Sequence, residues 1–213
     1  MHTITRSDLE TNPSLYQQAK KILDAGGLVC FPSASGYKLA ADLSSHEAIN
    51  RMLQAKRRVK NAPALVFVPD EKWVKEVAAS VNDAARALMR RYWPGPVTLL
   101  FEPNEAIDPK VRKPLTKAKG WIGVRLPDDE VPSNVVKAFG RPLLVSSANL
   151  ATKHGASSVA QVRKNFGRTV DLLIDAGDLA EKAKSTLVDV SNGGASVVRA
   201  GAVNEKDILA AVG

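Results

Sequence analysis

The sequence predicts an α/β (α+β) fold, a single domain built on a mixed sheet. Three observations predict it. Short apolar runs of strand type and amphipathic segments of helical period interleave along the chain without strict alternation, which argues for a mixed sheet over a regular doubly wound one. The 213 residues are 45% hydrophobic and 24% charged, ordinary proportions for a globular chain with a core of normal size. No internal repeat or low-complexity linker divides the sequence, so the domain is expected to span residues 8–213.

The elements follow in order. Residues 13–25, PSLYQQAKKILDA, read as a helix: Pro13 suits a first turn, Leu15, Ala19, Ile22 and Leu23 share a face, and Gly26 ends it. LVCFP at 28–32 reads as a strand. Ser44 and Glu47 have capping-box spacing ahead of a helix, HEAINRMLQAKRR, and ALVFV at 64–68 is the next strand. Helices fit 70–79 and 82–92, with strands at 97–101 and 121–126. Between those strands, residues 102–120 carry Lys110, Arg112, Lys113, Lys117 and Lys119 among prolines and read as a long basic loop, a length often tied to function. A helix near 131–139 leads to the apolar run PLLVSSA, and a helix at 158–166 precedes the strand VDLLI at 170–174. STLVDV and ASVVRA form two strands joined by the turn signal Ser191–Asn192–Gly193–Gly194. Asn204 caps a last helix over 204–212.

Charge and absent motifs narrow the function. Thirty Lys and Arg against 22 acidic residues give a net charge of +8, which suits an anionic partner such as a nucleotide or RNA, and equally a merely soluble basic protein. The lone cysteine, Cys30, excludes an internal disulfide and a Cys-based zinc site. The polar start MHTITRSDLETNP does not read as a signal peptide, and no run of about 18 apolar residues reads as a membrane span, so a cytoplasmic location is expected. There is no GxxxxGK[ST] loop, no GxGxxG fingerprint and no GxSxG elbow, and His2, His46 and His154 lack metal-ligand spacing.

Four segments carry chemistry. PSASGYK at 32–38 follows a strand; Ser33 and Ser35 beside Gly36 would let a ligand approach the backbone, or form an ordinary polar loop. AKRRVK at 55–60 gathers cations at a helix end, where they complement the helix dipole or grip phosphate oxygens. VSSANL at 145–150 offers compact donors and acceptors at a strand end, where α/β sheets often bind ligands and where simple turns use the same residues. Ser185, Thr186 and Arg199 close the sheet, and Arg199 needs a carboxylate, a phosphate or solvent.

Taken in order, Lys56–Arg57–Arg58, YWPGPVTLL at 92–100, GVRLP at 123–127, SSAN at 146–149, STLVD at 185–189 and RAGAV at 199–203 resemble the YrdC-like family of threonylcarbamoyl-AMP synthases, over about residues 15–203. The resemblance implies a twisted mixed sheet flanked by helices, with a basic concave cleft. It implies a nucleotidyltransferase that condenses L-threonine, bicarbonate and ATP, with Mg²⁺ accompanying the ATP. Lys56 and Arg58 would act on the phosphates as the catalytic cations. Asn149, Ser157 and Arg199 would join them on ATP, and Ser35, Arg125, Ser147 and Ser185 would hold threonine or its carbamate. The product would serve tRNA position 37 through separate threonylcarbamoyl-transfer proteins, because the sequence ends before the extra C-terminal domain of longer synthases.

The departures gather at the amino-acid end. The family's PTxTxYG stands here as PSASGYK, which keeps the hydroxyls, loses two methyls and has the Gly-Tyr order of the YciO branch. Val59 replaces a proline after the basic triplet, Ala62–Pro63 replaces Asn–Pro, and Phe67 stands where a histidine is common. A YciO-like paralogue that binds double-stranded RNA or tRNA in the basic concavity therefore remains the alternative, with affinity falling steeply as salt rises. A third reading, the carbamoyl-transfer domain of a hydrogenase-maturation protein, lacks its accompanying cysteine-rich segments here.

Overall fold

The computed structural model describes residues 1–56, 64–116, 120–150, 157–180 and 182–213. In chain order its first elements are β1 (His2–Thr5), α1 (Arg6–Thr11), α2 (Tyr16–Asp24), β2 (Val29–Phe31), β3 (Lys38–Asp42), α3 (His46–Ala55) and β4 (Ala64–Phe67). There follow α4 (Val74–Val77), α5 (Asp83–Tyr92), β5 (Val97–Phe101), α6 (Pro109–Thr116), β6 (Ile122–Arg125), α7 (Glu130–Phe139) and β7 (Leu143–Ser147). The last are α8 (Val159–Phe166), β8 (Leu172–Asp175), β9 (Thr186–Asp189), β10 (Ser196–Arg199) and α9 (Glu205–Ala210). The chain divides into two units, residues 1–60 with 129–182, and 61–128 with 183–213. Each is a mixed α/β unit, in keeping with the predicted class.

In the first unit the strand order is β1-β8-β2-β3-β7. β1 and β2 flank β8 in parallel, β3 runs antiparallel to β2, and β7 antiparallel to β3. Val29, Cys30, Phe31, Leu172 and Leu173 are fully buried, so these central strands read as continuous apolar runs. α2 packs against α7, with Ala19 and Leu23 buried on the one helix and Val135 and Val136 on the other, while α3 lies on β3.

In the second unit the order is β4-β6-β5-β9-β10. β4 pairs with β6 and β5 with β9 in parallel; β5 with β6 and β9 with β10 are antiparallel, the last with an irregularity between Val197 and Arg199. β10 is mostly exposed and β9 alternates buried with half-buried residues, as expected for one solvated face.

Several expectations change. The polar N-terminus folds: Ile4 is buried, β1 pairs with β8, and Thr5 and Asp8 close a capping box on α1. The expected domain start at residue 8 therefore leaves out a strand. Lys38 ends the PSASGYK turn in the sequence reading and residues 39–42 carry no assigned element, whereas KLAAD is the buried strand β3. The cap of α3 is Ser45, whose side chain accepts from Ala48 N, one residue beyond the predicted Ser44. Ser44 instead bonds Asp42 Oδ1 through its amide and its hydroxyl. The 102–120 segment is no continuous loop, since α6 forms within it and buries Val111 and Leu115. The hairpin at Ser191–Gly194 and the Asn204 cap form as read. Among the described residues no helix is long and apolar enough to cross a membrane.

Candidate functional site

In the first unit the candidate site grows from the β3–β7 pair. Their antiparallel register sets Lys38 opposite Ser147 and Leu39 opposite Ser146. The pairing continues past the strand end, where Ala148 N donates to Tyr37 O at 2.8 Å, so the 32–38 turn and the 146–149 turn are locked together. Ser33 Oγ donates to Gly36 O at 2.7 Å, and Gly36 N returns a bond to Ser33 O. Thus Ser33 closes its own turn. Tyr37 is fully buried; its hydroxyl donates to Gly177 O at 2.7 Å and accepts from Ala176 N at 3.0 Å, and burial pushes its pKa up to about 12.

Three cation contacts converge on the 146–149 turn. Lys56, at the C-terminal end of α3 and only 7% exposed, donates its ammonium to the carbonyl of Ser147 and reaches Asn149 Oδ1 at 3.5 Å. Lys38, also 7% exposed, donates from Nζ to Ser147 Oγ at 3.1 Å and to Ser35 O at 3.3 Å. Four predicted residues, Lys56, Ser147, Asn149 and Ser35, are therefore brought together around one strand end. Ser35 joins through its carbonyl where its hydroxyl was expected. Ser157 is fixed separately, its carbonyl accepting from Leu179 N at 2.7 Å. Arg58, Val59, Ala62, Pro63 and His154 lie outside the described residues.

The turn also walls a cavity of about 310 Å³ in this unit, lined by Ser33, Ala34, Asp129, Glu130, Leu179 and Lys182 among others. That volume suits a small molecule. Ser33 and Ala34 belong to both features, whereas Lys38, Lys56, Ser147 and Asn149 face the strand end and do not line the cavity.

In the second unit Arg125 and Ser185 hold separate positions. Arg125 ends β6, 7% exposed, with Nε donating to Gly95 O at 2.7 Å and one terminal nitrogen 2.7 Å from Asp128 Oδ1. Its guanidinium lies 5.8 Å from the centre of the Phe67 ring, the residue opposite it in β4, within cation–π range. Gly95 makes this possible: a Cβ there would fall 2.1 Å from Tyr92 O, so only glycine lets the chain turn and present its carbonyl. Ser185 Oγ and Thr98 Oγ1 are 2.9 Å apart, and Arg199 donates to Ser185 O at 2.8 Å from an exposed position on β10. Gly201 approaches so closely that a Cβ would lie 2.3 Å from Lys184 O.

Sequence reasoning missed Lys38 and Thr98. The signal for Lys38 was present, because the residue after the tyrosine departs from the PTxTxYG pattern. Thr98 gave none, since its partner is 87 residues away.

The two clusters offer buried ammonium groups, a guanidinium and several hydroxyls, donors suited to phosphate and carboxylate oxygens. Residues 21–201 match the Sua5/YciO/YrdC family, described as "Telomere recombination". A threonylcarbamoyl-AMP synthase of Pyrococcus abyssi is 27% identical over 188 residues, 88% of this chain and 54% of its own length. The chain thus spans little more than half of that relative. The structure of P. abyssi Sua5 complexed with L-threonine superposes with a TM-score of 0.85 at 25% identity, covering all of this chain and 60% of that one. Escherichia coli YciO shares the fold over 98% of both chains, with a TM-score of 0.81 at 23% identity.

Proposed function

This chain belongs to the Sua5/YciO/YrdC family, and on that premise we propose that it is a nucleotidyltransferase that makes L-threonylcarbamoyladenylate from L-threonine, bicarbonate and ATP. The observation that carries the reading is the buried Lys56 ammonium held on Ser147 and Asn149 at the end of β7. Those bonds fix a positive charge beside a turn of small polar residues, the arrangement a polyphosphate needs.

In the proposed reaction the threonine amine takes up carbon dioxide as a carbamate. A carbamate oxygen attacks the α-phosphorus of ATP, and the bond from that phosphorus to the bridging oxygen breaks, releasing pyrophosphate. Nothing in this sequence of steps needs a covalent nucleophile; it needs two anions aligned and their growing charge neutralised. Lys56 and Arg58 supply charge to the phosphates. Asn149, Ser157 and Arg199 complete the nucleotide contacts, and Ser35, Arg125, Ser147 and Ser185 hold the amino acid. Among the described residues no group of three or more His, Cys, Asp or Glu side chains forms a metal cradle. Mg²⁺ is assigned to the incoming ATP as part of the substrate. The product would pass to proteins that modify tRNA in the cytoplasm.

The test is pyrophosphate release from ATP, Mg²⁺ and bicarbonate with each amino acid in turn. Threonine-dependent release supports the synthase. The 32–38 departures favour a second reading, a YciO-like protein binding double-stranded RNA; salt-sensitive RNA binding with no release from any amino acid would select it.

A further inference from the structure

We infer that Thr98 is a positioning residue that holds the Ser185 hydroxyl as a hydrogen-bond donor toward an anionic oxygen of the substrate. This deepens the synthase reading and rests on it, because that reading gives Ser185 to the amino acid.

In the parallel pair of β5 and β9, Thr98 stands opposite Leu187. Leu187 follows Ser185 by two residues, so Thr98 and Ser185 share a face of the sheet. Their hydroxyl oxygens are 2.9 Å apart. Thr98 is 3% exposed, whereas Ser185 is half-buried. Gly123 on β6 settles which way Thr98 turns. A Cβ at Gly123 would lie 3.0 Å from Thr98 Cγ2, so the methyl takes the room that glycine leaves and the hydroxyl is turned to Ser185. Branching at Cβ makes that rotamer stiff. The backbone of Ser185 is pinned as well. Arg199 donates to its carbonyl at 2.8 Å, Thr186 N donates to Pro96 O at 2.9 Å, and a Cβ at Gly201 would fall 2.6 Å from the Ser185 carbonyl carbon. What remains to be set is the serine side chain, and among the described residues Thr98 is its one hydrogen-bond partner.

Proton accounting gives the direction of the bond. Two hydroxyls carry two protons, and the bond between them uses one. Were Ser185 the donor, the Thr98 proton would be left in a buried place with no other partner among the described residues, an unsatisfied donor. With Thr98 donating, both protons serve: the first lies on Ser185 Oγ, and the second leaves Ser185 on its half-buried side, where a ligand reaches it. A hydroxyl that already accepts one bond is a stronger donor in the next, because chained hydrogen bonds polarise one another. The strongest acceptors for such a donor are carboxylate and carbamate oxygens. An ammonium would instead need a lone pair of Ser185, and Thr98 already occupies one.

The anionic oxygen has two sources, the carboxylate of threonine and the carbamate formed on its amine. Two measurements on the full chain tell them apart: threonine binding by calorimetry in bicarbonate-free buffer without ATP, and pyrophosphate release with threonine and bicarbonate varied in turn. Thr98→Val keeps the shape and removes the donor. It should weaken the amino-acid end about fivefold or more, while the KM for ATP stays within about twofold. If the carboxylate is bound, threonine affinity falls already without bicarbonate. If the carbamate is bound, that affinity holds and the KM for bicarbonate rises. Thr98→Ser should restore native values. Because Thr98 acts through Ser185, Thr98→Val in a Ser185→Ala background should change these values by less than about twofold, even though its cost in stability persists. Thr98→Ala repeats the series should the valine variant fail to fold by circular dichroism. Native values for threonine and bicarbonate in Thr98→Val, an equal loss for ATP, or the same loss in the Ser185→Ala background would each overturn the inference, and would leave the synthase reading standing where the native protein releases pyrophosphate with threonine. Threonine binding without release would overturn the synthase reading and leave Thr98 to be judged on affinity. Neither release nor binding of any amino acid by the native protein would overturn both.

Discussion

Thr186→Val tests how the second unit holds its C-terminal segment. Thr186 is fully buried at the start of β9; its hydroxyl donates to Val203 O at 2.5 Å and accepts from Val203 N at 3.0 Å. One side chain thus satisfies both backbone groups of a residue 17 positions away, beside the Arg199–Ser185 contact. Valine has the same shape and no hydroxyl, so it leaves a donor and an acceptor without that partner. Each such loss costs about 1–3 kcal/mol when water cannot replace it. Val203 is half-buried, which places each cost at the lower end and the sum at about 2–4 kcal/mol. Thr186→Ser keeps both bonds and removes one methyl, about 1 kcal/mol. Urea unfolding followed by fluorescence should therefore rank native, serine, then valine, with thermal midpoints falling about 2–4 °C for each kcal/mol. Hydrogen exchange gives the specific readout: the Val203 amide should exchange faster in the valine variant and remain protected in the serine variant. A valine variant as stable as the serine one, with Val203 still protected, refutes the reasoning.

Other perturbations have similarly defined outcomes. Gly95→Ala forces a Cβ to within 2.1 Å of Tyr92 O and should cost about 1–3 kcal/mol or more in denaturant unfolding, because backbone rather than a movable side chain blocks it. Asp42 is 5% exposed and pairs at 2.8 Å with Arg141, whose guanidinium also bridges to Asp24 and lies over Phe139; Asp42→Ala should cost about 1–3 kcal/mol, less than a fully buried pair because Arg141 is one-third exposed, and the urea midpoint measures it. The Tyr37 hydroxyl stays protonated in the folded chain to about pH 12, against 10 for a free tyrosine. Between those values the unfolded chain loses a proton that the folded chain keeps, so stability is full below pH 10 and declines as pH rises toward 12. Tyr37→Phe should flatten that decline in urea midpoints taken across the range, while lowering stability at neutral pH through loss of the bonds to Ala176 and Gly177.

Much of the fold was legible where a local signal was strong. Apolar runs marked β2, β4, β5, β6, β7 and β8 to within two residues, and the Asn192–Gly193 turn marked the β9–β10 hairpin. β3 was not legible, because KLAAD places a lysine and an aspartate in a strand that is buried throughout. Those charges are tolerated through distant partners, Ser147 for Lys38 and Arg141 for Asp42, and no local pattern reveals them. β1 was missed for a related reason: four residues with one buried side chain carry no period, and the strand exists because β8 offers it an edge. α6 was hidden by Pro114 and by five basic residues in 102–120 that read as solvated loop.

By itself, the sequence determined the residue types of the candidate site and their order, and with them the family. Those are local properties, written in short runs such as SSAN and STLVD whose chemistry belongs to the side chains wherever they lie. The tertiary structure decided which of those groups meet. The β3–β7 register, a consequence of backbone pairing between segments more than 100 residues apart, sets Lys38 against Ser147 and turns a residue read as the end of a loop into a buried cation. Pairing of that kind is fixed by the packing of the whole unit, because a shift of one residue would carry Lys38 to the other face of the sheet.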